Sequence, residues 1–344
     1  MEYSKTYSAI PPGESIKEQL QIQNMTQREF AKRMNLSEKH ISQLLNGKVQ
    51  LTNETALKLQ SVLGVPDHFW NNLELRYREK LAKVKEENEM DSDKELVKFF
   101  PYKEMVENKW IKNTKSTSEK VRNLRAFFQV ANLDCLNNLD ICYRKLKETN
   151  GYSQLVWNQQ ARLSAKKIIV SKINIDNLKN NLPEIRAMTT KSPSEFLPIL
   201  EELLSNCGIA LVILPHLKGT YLHGASFIDG DHLVIGLTLR RKDADIFWFS
   251  FFHEIGHILN GDLTNTENSK ENELKIDQFA ANILIPEDKY REFVAESSYS
   301  KEAIKTFASN ISIQPGIVVG RLQKDEFLPY NYCNDLKKQY IFSN

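Results

Sequence analysis

Residues 244–260, ADIFWFSFFHEIGHILN, constrain the fold of this chain more than any other stretch. Apolar side chains fall on almost every side of a helix drawn through them, so that helix must be buried, and burial penalises unpaired polar groups. Yet the segment carries His253, Glu254 and His257. Histidines four residues apart stand one turn apart on one helix face, so both imidazoles reach a single ion at about 2.0–2.1 Å. Glu254 between them is placed to take a proton from a metal-bound water, whose pKa a Lewis-acidic ion lowers towards about 7, and to pass it to a leaving amine.

A third ligand is available downstream, in ENELKIDQFAANILIP. Glu273 completes a site of two histidines and one carboxylate with a fourth position open, and Asp277, on the same face, is placed to hold the free ring nitrogen of a ligating histidine. Glu271 competes as ligand, but it lies half a turn away and lacks an acidic partner four residues on. Ile276, Phe279, Ala280 and Ile283 face inward and set this helix against the first. The expected ion is Zn2+, or another divalent ion such as Mn2+. His216, His223 and His232 lie on or near predicted strands; His223 and Tyr221 are candidates for substrate or transition-state contacts, although a satisfied or surface histidine is the simpler reading of all three.

The N-terminal region carries a different signal. In TQREFAKRMNLSEKHISQLLNGK, Thr26 and Glu29 form an S/T-x-x-E box opening a helix that buries Phe30, Ala31 and Met34. Asn35 stands at a turn where left-handed backbone is expected, and Ser37 caps a second short helix ending at Asn46-Gly47. Two helices so joined have helix-turn-helix spacing. The second would enter the major groove and present Ser37, Glu38, Lys39, His40, Ser42 and Gln43 to bases or phosphates, while Gln27 and Lys48 sit where phosphate contacts anchor such a module. Lys17, Arg28, Lys32, Arg33, Lys39 and Lys48 outnumber Glu18, Glu29 and Glu38, a modest phosphate footprint suited to salt-sensitive binding.

This local excess matters because the whole chain is nearly neutral, with a net charge of +2. At 344 residues it has room for two or three domains. The expected division is a helix-turn-helix domain over 1–81, a helical spacer over 82–191 and a metal-site domain over 192–344. The run Lys83 to Glu95 reads as a solvated helix face or linker. IALVILP and ASFIDGDHLVIGL read as strands, the latter pair turning at Asp229-Gly230, which gives a small antiparallel sheet. The fold class expected is therefore mainly α with a small antiparallel sheet (α+β). Cys135, Cys142, Cys207 and Cys333 lack CxxC pairing and read as reduced thiols. No secretory leader or membrane-length apolar run is visible, so a cytoplasmic, prokaryotic location without membrane contact is expected.

From about Gly208 to Leu322, DADIFWFSFFHEIGHILNGD, ELKIDQFAANILIP and QPGIVVGRLQ resemble the ImmA/IrrE family of bacterial metallopeptidases. The resemblance implies a zincin-like fold, His253, His257 and Glu273 as ligands, and Glu254 as general base. Ile276 departs from the alanine frequent in that family, conservatively and on the buried side. Residues 12–77, with PPGESIKEQL, TNETALKLQSVLGVPDHFW and NLELRY, resemble the HigA-type antitoxin branch of the Cro/C1 repressor family, which implies operator DNA as partner, commonly bound by a homodimer. Together the resemblances imply a transcriptional regulator with a zinc-dependent endopeptidase. It would act on a helix-turn-helix repressor, in trans or in cis, to derepress stress, mobile-element or defence genes, or would control a cognate toxin. Cleavage requires an extended segment, and Lys83 to Glu95 is the candidate in cis. The alternative is a non-enzymatic antitoxin or transcription factor with a structural or vestigial metal site.

Overall fold

The computed structural model describes residues 2–4, 6–137, 151–220, 223–238, 240, 242–263 and 270–341. Two compact units emerge: Met1–Lys98 with Thr114–Cys135, and Phe99–Asn113 with Leu136–Asn344. Among the described residues no helix is long and apolar enough to cross a membrane. Cys207 and Cys333 are buried free thiols and Cys135 is half-buried; Cys142 lies outside the described residues.

The first unit opens with a two-stranded antiparallel ribbon, β1 (Glu2–Tyr3) and β2 (Ser8–Ala9). Helices α1 (Gly13–Ile22), α2 (Gln27–Met34), α3 (Glu38–Leu45) and α4 (Asn53–Leu63) follow, then α5 (Asp67–Leu96). Local chemistry sets the boundaries. Thr26 accepts from Glu29 N at 3.2 Å, although the Glu29 carboxylate turns to Arg33 (2.6 Å) and so does not close a reciprocal box. Asn35 ends α2 in the left-handed region with φ 53°, and Ser37 accepts from His40 N at 3.1 Å to open α3. Ile16, Phe30, Ile41, Leu59 and Trp70 are fully buried between these helices.

No glycine or proline interrupts α5, so the charged run continues as helix through residue 96. Residue 81, the expected end of the first domain, falls inside it. The run is more than a solvated face: Val84, Met90 and Asp93 are buried. Asp93 is fully enclosed, and its carboxylate accepts from Arg125 Nε at 2.6 Å and Leu133 N at 3.1 Å. Arg125 belongs to α7 (Thr117–Phe128), which follows α6 (Tyr102–Glu107) in sequence and buries Val121, Leu124, Phe127 and Phe128.

In the second unit α8 (Gly151–Ala165), α9 (Ile175–Ala187) and α10 (Pro193–Asn206) precede strands β3 (Ile209–Leu214), β4 (Gly224–Asp229) and β5 (His232–Thr238). Helices α11 (Ala244–Asn260), α12 (Lys270–Leu284), α13 (Glu287–Ala295), α14 (Lys301–Asn310) and α15 (Pro315–Lys324) complete it. The expected class holds, mainly α within α+β, but these three strands are not antiparallel throughout. Their order is β3-β5-β4, with β3 parallel to β5 and β4 antiparallel to it. The turn at Asp229-Gly230 makes the anticipated hairpin; β5, buried along most of its length, then takes the centre, where both its edges are paired.

Leu233, Ile235 and Leu237 belong to the core built around α11. Gly236, on the opposite face by strand alternation, meets the Trp157 ring of α8. The C-terminal segment fixes the start of α11: Ala244 N donates to Lys338 O at 2.9 Å, and Trp248 Nε1 to Tyr340 Oη at 3.0 Å.

Removing one partner of an enclosed ion pair typically costs about 3–5 kcal/mol because the other is left uncompensated. Asp93→Ala is therefore expected to accelerate amide exchange across α5 and α7 in hydrogen-exchange mass spectrometry, and unchanged exchange would show that the pair does not hold the two helices together.

Candidate metal centre and nucleic-acid interface

Helix α11 brings His253 and His257 together with their Nε2 atoms 3.1 Å apart. Packing of α11 on α12 adds Glu273, whose Oε2 lies 3.5 Å from His253 Nε2 and 3.8 Å from His257 Nε2. Such a cluster is a candidate metal site. Glu271 is not part of it; it is exposed and pairs with Lys275 at 2.8 Å. The contact between the helices depends on Gly256, where a Cβ would press on Ile276 and Phe279 at 3.0 Å.

Each ring nitrogen on the far side has a carboxylate. His253 Nδ1 lies 2.9 Å from Asp277 Oδ1, and His257 Nδ1 lies 3.1 Å from Asp262 Oδ1. With each Nδ1–H donated to a carboxylate, both Nε2 atoms present lone pairs, and Glu273 brings another acceptor to the same point. In that tautomer three acceptors meet at one point. That donor set suits a cation, and the spacing does too, since ligands about 2.0–2.1 Å from a tetrahedral ion stand roughly 3.4 Å from one another. The same surplus of acceptors acts on His253: burial pulls its pKa down, but Asp277, Glu254 and Glu273 outweigh burial and hold it above the usual histidine value.

Glu254 points to the sheet. Burial pushes its carboxyl above the ordinary range, against the Ser226 hydroxyl, which donates to Oε2 at 2.7 Å, and the nearby histidines. At Gly224 a Cβ would stand 2.8 Å from Glu254 Oε1, so glycine is what lets β4 approach this closely. Asp262 behaves oppositely: burial raises its carboxyl, but bonds from Asn260 and Asn272 and the adjacent His257 together hold it below the usual value.

Of the other candidates, His223 directly precedes β4, and its carbonyl accepts from Thr238 N at 3.0 Å. Tyr221 lies outside the described residues. His216 faces Thr220 Oγ1 at 3.2 Å, with burial holding its pKa down, and His232 begins β5 opposite Asp229.

In the first unit Gln27, Ser37, Glu38, Lys39 and Lys48 are exposed, while His40, Ser42 and Gln43 are half-buried. Gln43 was expected to be as open as Lys39; it lies one turn later, beside buried Leu44, and is partly covered. Ser37 is occupied in capping α3, and Glu38 makes an exposed pair with Arg28 at 3.4 Å, of little energetic weight.

Residues 16–70 match the family model for the helix-turn-helix, and residues 208–322 that for the IrrE N-terminal-like domain. The uncharacterized HTH-type transcriptional regulator YddM of Escherichia coli is 43% identical over 63 residues, which are 18% of this chain and 67% of that protein. The chain belongs to the helix-turn-helix transcriptional regulators. Its IrrE N-terminal-like domain contains β3 to β5, α11 to α14 and most of α15. Among solved structures, an addiction module antidote protein of a HigA family from Coxiella burnetii is similar at 30% identity, over 24% of this chain and 92% of that one, with a TM-score of 0.22.

Four residues of the centre lay outside the sequence reading: Ser226, Asn260, Asp262 and Asn272. For Asp262 there was a signal, the Asn-Gly-Asp that closes α11, where glycine turns the chain back over the last helical turn. Elemental analysis of purified protein is expected to give about one divalent ion per chain in wild type and Glu271→Ala, and none in His253→Ala or Glu273→Ala. Equal loss in Glu271→Ala would assign the wrong carboxylate.

Proposed function

We propose that this chain is a DNA-binding transcriptional regulator with a metal-dependent endopeptidase, organised as a helix-turn-helix domain over 1–81, a helical spacer over 82–191 and a zincin-like domain over 192–344. The observation that carries the peptidase reading is the convergence of His253, His257 and Glu273 next to a buried carboxylate, Glu254, on the side facing β4. These three residues would hold Zn2+, or another divalent ion such as Mn2+. Zinc in such a site supplies Lewis acidity, polarising a carbonyl and acidifying water.

The protein's own groups supply the rest. Held by the Ser226 hydroxyl at Oε2, the Glu254 carboxylate would accept a proton from water and return it to the leaving amine. A carboxyl raised by burial is suited to both tasks. By accepting from Nδ1–H, Asp277 and Asp262 would favour the tautomer that leaves each Nε2 lone pair free for the ion. β4 pairs along one edge with β5 and is the outer strand of the sheet among the described residues, so an extended peptide could add to its other edge beside Glu254.

The substrate class is a helix-turn-helix repressor, cleaved in trans at an extended segment. The segment expected in cis, Lys83 to Glu95, is helical within α5. Operator binding would run through Ser37, Glu38, Lys39, His40, Ser42 and Gln43 towards bases or phosphates, with Gln27 and Lys48 at phosphate-anchoring positions, in a homodimer on a two-fold operator. A cognate toxin is a second protein partner, and the setting is the cytoplasm of a prokaryote.

Glu254→Gln keeps shape while removing the base. The variant should retain metal and DNA binding and lose cleavage of the repressor encoded nearest the gene about a hundredfold or more, followed by mass spectrometry of fragments. Identical fragments from wild type and variant would favour a non-enzymatic antitoxin or transcription factor instead. Replacing Lys39 and Gln43 together by alanine should abolish footprinting on the upstream DNA with the fold intact; an undiminished footprint would mean that α3 does not read bases.

A further inference from the structure

Gly261, with φ 70°, ends α11 and reverses the chain, so that Asp262 N donates back to His257 O at 3.4 Å. The reversal lays the buried Asp262 carboxylate against the His257 ring, both oxygens lying 3.1–3.2 Å from Nδ1. A histidine orientation of this kind uses one carboxylate per ring, which is all that Asp277 does for His253. Asp262 does more. Its Oδ2 also accepts from Asn260 Nδ2 at 3.0 Å and from Asn272 Nδ2 at 2.6 Å, and Asn260 donates to Asn272 Oδ1 at 3.0 Å. Asn272 stands in the first turn of α12, immediately before Glu273.

We infer that Asp262 is a positioning residue that sets two of the three ligands at once, orienting His257 through Nδ1 and, through Asn272, holding the first turn of α12 so that Glu273 keeps its distance from the histidines. The inference rests on the metal-site reading above. The other end of α12 has its own anchors. Arg186 Nε donates to Ile283 O and Leu284 O at 2.9 and 3.1 Å, and Arg321 Nη1 to Ala281 O and Ile285 O at 2.9 and 3.2 Å. With its C-terminal carbonyls held there, the remaining freedom of α12 is at the end that carries Glu273, and the Asp262–Asn272 bond restrains that end. The bond is charge-assisted and joins residues ten apart across the connection between the helices, so it is not part of either helix's own hydrogen bonding.

The test uses the full chain and the metal alone. Zinc affinity is measured by competition with a chromophoric chelator, ligand geometry by the visible absorption of the Co2+-loaded protein, and folding by the melting temperature of the metal-free protein. Asp262→Ala should weaken zinc binding about ten- to hundredfold, the range for removing a group that orients a ligand. Asn272→Ala leaves the His257 contact in place; it should weaken zinc about two- to tenfold, the scale of one net hydrogen bond, and shift the Co2+ spectrum. Because Asn272 acts through Asp262, the double variant should bind zinc as Asp262→Ala does. Asp262→Asn, with nearly the same shape, should fall between wild type and Asp262→Ala, and serves where the alanine variant does not fold.

Additive losses in the double variant, or an Asn272→Ala protein with lowered melting temperature but wild-type zinc affinity and Co2+ spectrum, would reduce the bond to a structural tie and overturn the inference. Those outcomes leave the metal site standing. Absence of zinc binding by the wild-type chain would instead overturn the metal-site reading itself, and this inference with it.

Discussion

The second unit is organised around one conflict. α11 lies at the centre of the apolar core, with Phe247, Trp248, Phe251, Phe252 and Ile255 buried along it, yet the same helix carries His253, Glu254 and His257 inward. A polar group enclosed without a partner costs a few kcal/mol, so each of these must be answered by a polar group from another part of the chain. Each answer comes from a different element: Ser226 on β4 for Glu254, Asp277 on α12 for His253, and Asp262 in the turn after the helix for His257. A rotation or slide of α11 would orphan all three contacts together. The register of that helix therefore fixes which strand lies beside Glu254 and which face of α12 lies beside the histidines.

How legible each part was follows from how local its determinants are. α11 was readable to its ends, because an apolar segment of helical length stops at Asn-Gly. Four-residue spacing was enough to put Glu273 and Asp277 on one face. The helix-turn-helix was readable for the same reason: Thr26, Asn35 and Ser37 act on backbone groups within four residues of themselves.

Contacts made through folding back or across long separations were not readable. Asp262 reaches His257 through a left-handed glycine, so Asn-Gly-Asp marks the reversal but not which ring the carboxylate meets. Ser226 becomes relevant only when β4 is known to lie against α11. The parallel pairing of β3 with β5 depends on β5 entering between two earlier strands, which a string of strand-like runs does not encode. Composition also misled at Lys83 to Glu95, where lysine and glutamate suit a solvated linker and a helix equally. What decides for an embedded helix is Asp93, and its partners Arg125 and Leu133 lie more than thirty residues away.

Helix α5 also bears on where a peptidase in this chain would find its substrate. Adding a strand to the edge of β4 requires an extended segment, and each ladder bond formed is worth about 0.5–1.5 kcal/mol net. Drawing residues 83–95 out of α5 would expose Val84 and Met90, each buried to within 2% of full enclosure, and would break the Asp93–Arg125 pair. Those losses together are on the order of 5–10 kcal/mol. A ladder of about six residues recovers that amount only at its upper limit, before the conformational entropy of fixing the strand is counted. A linker already extended in a separate repressor has no such losses to recover. For the proposed peptidase the balance of these magnitudes favours a substrate in trans, because the buried groups that hold the long helix to α7 oppose its extension.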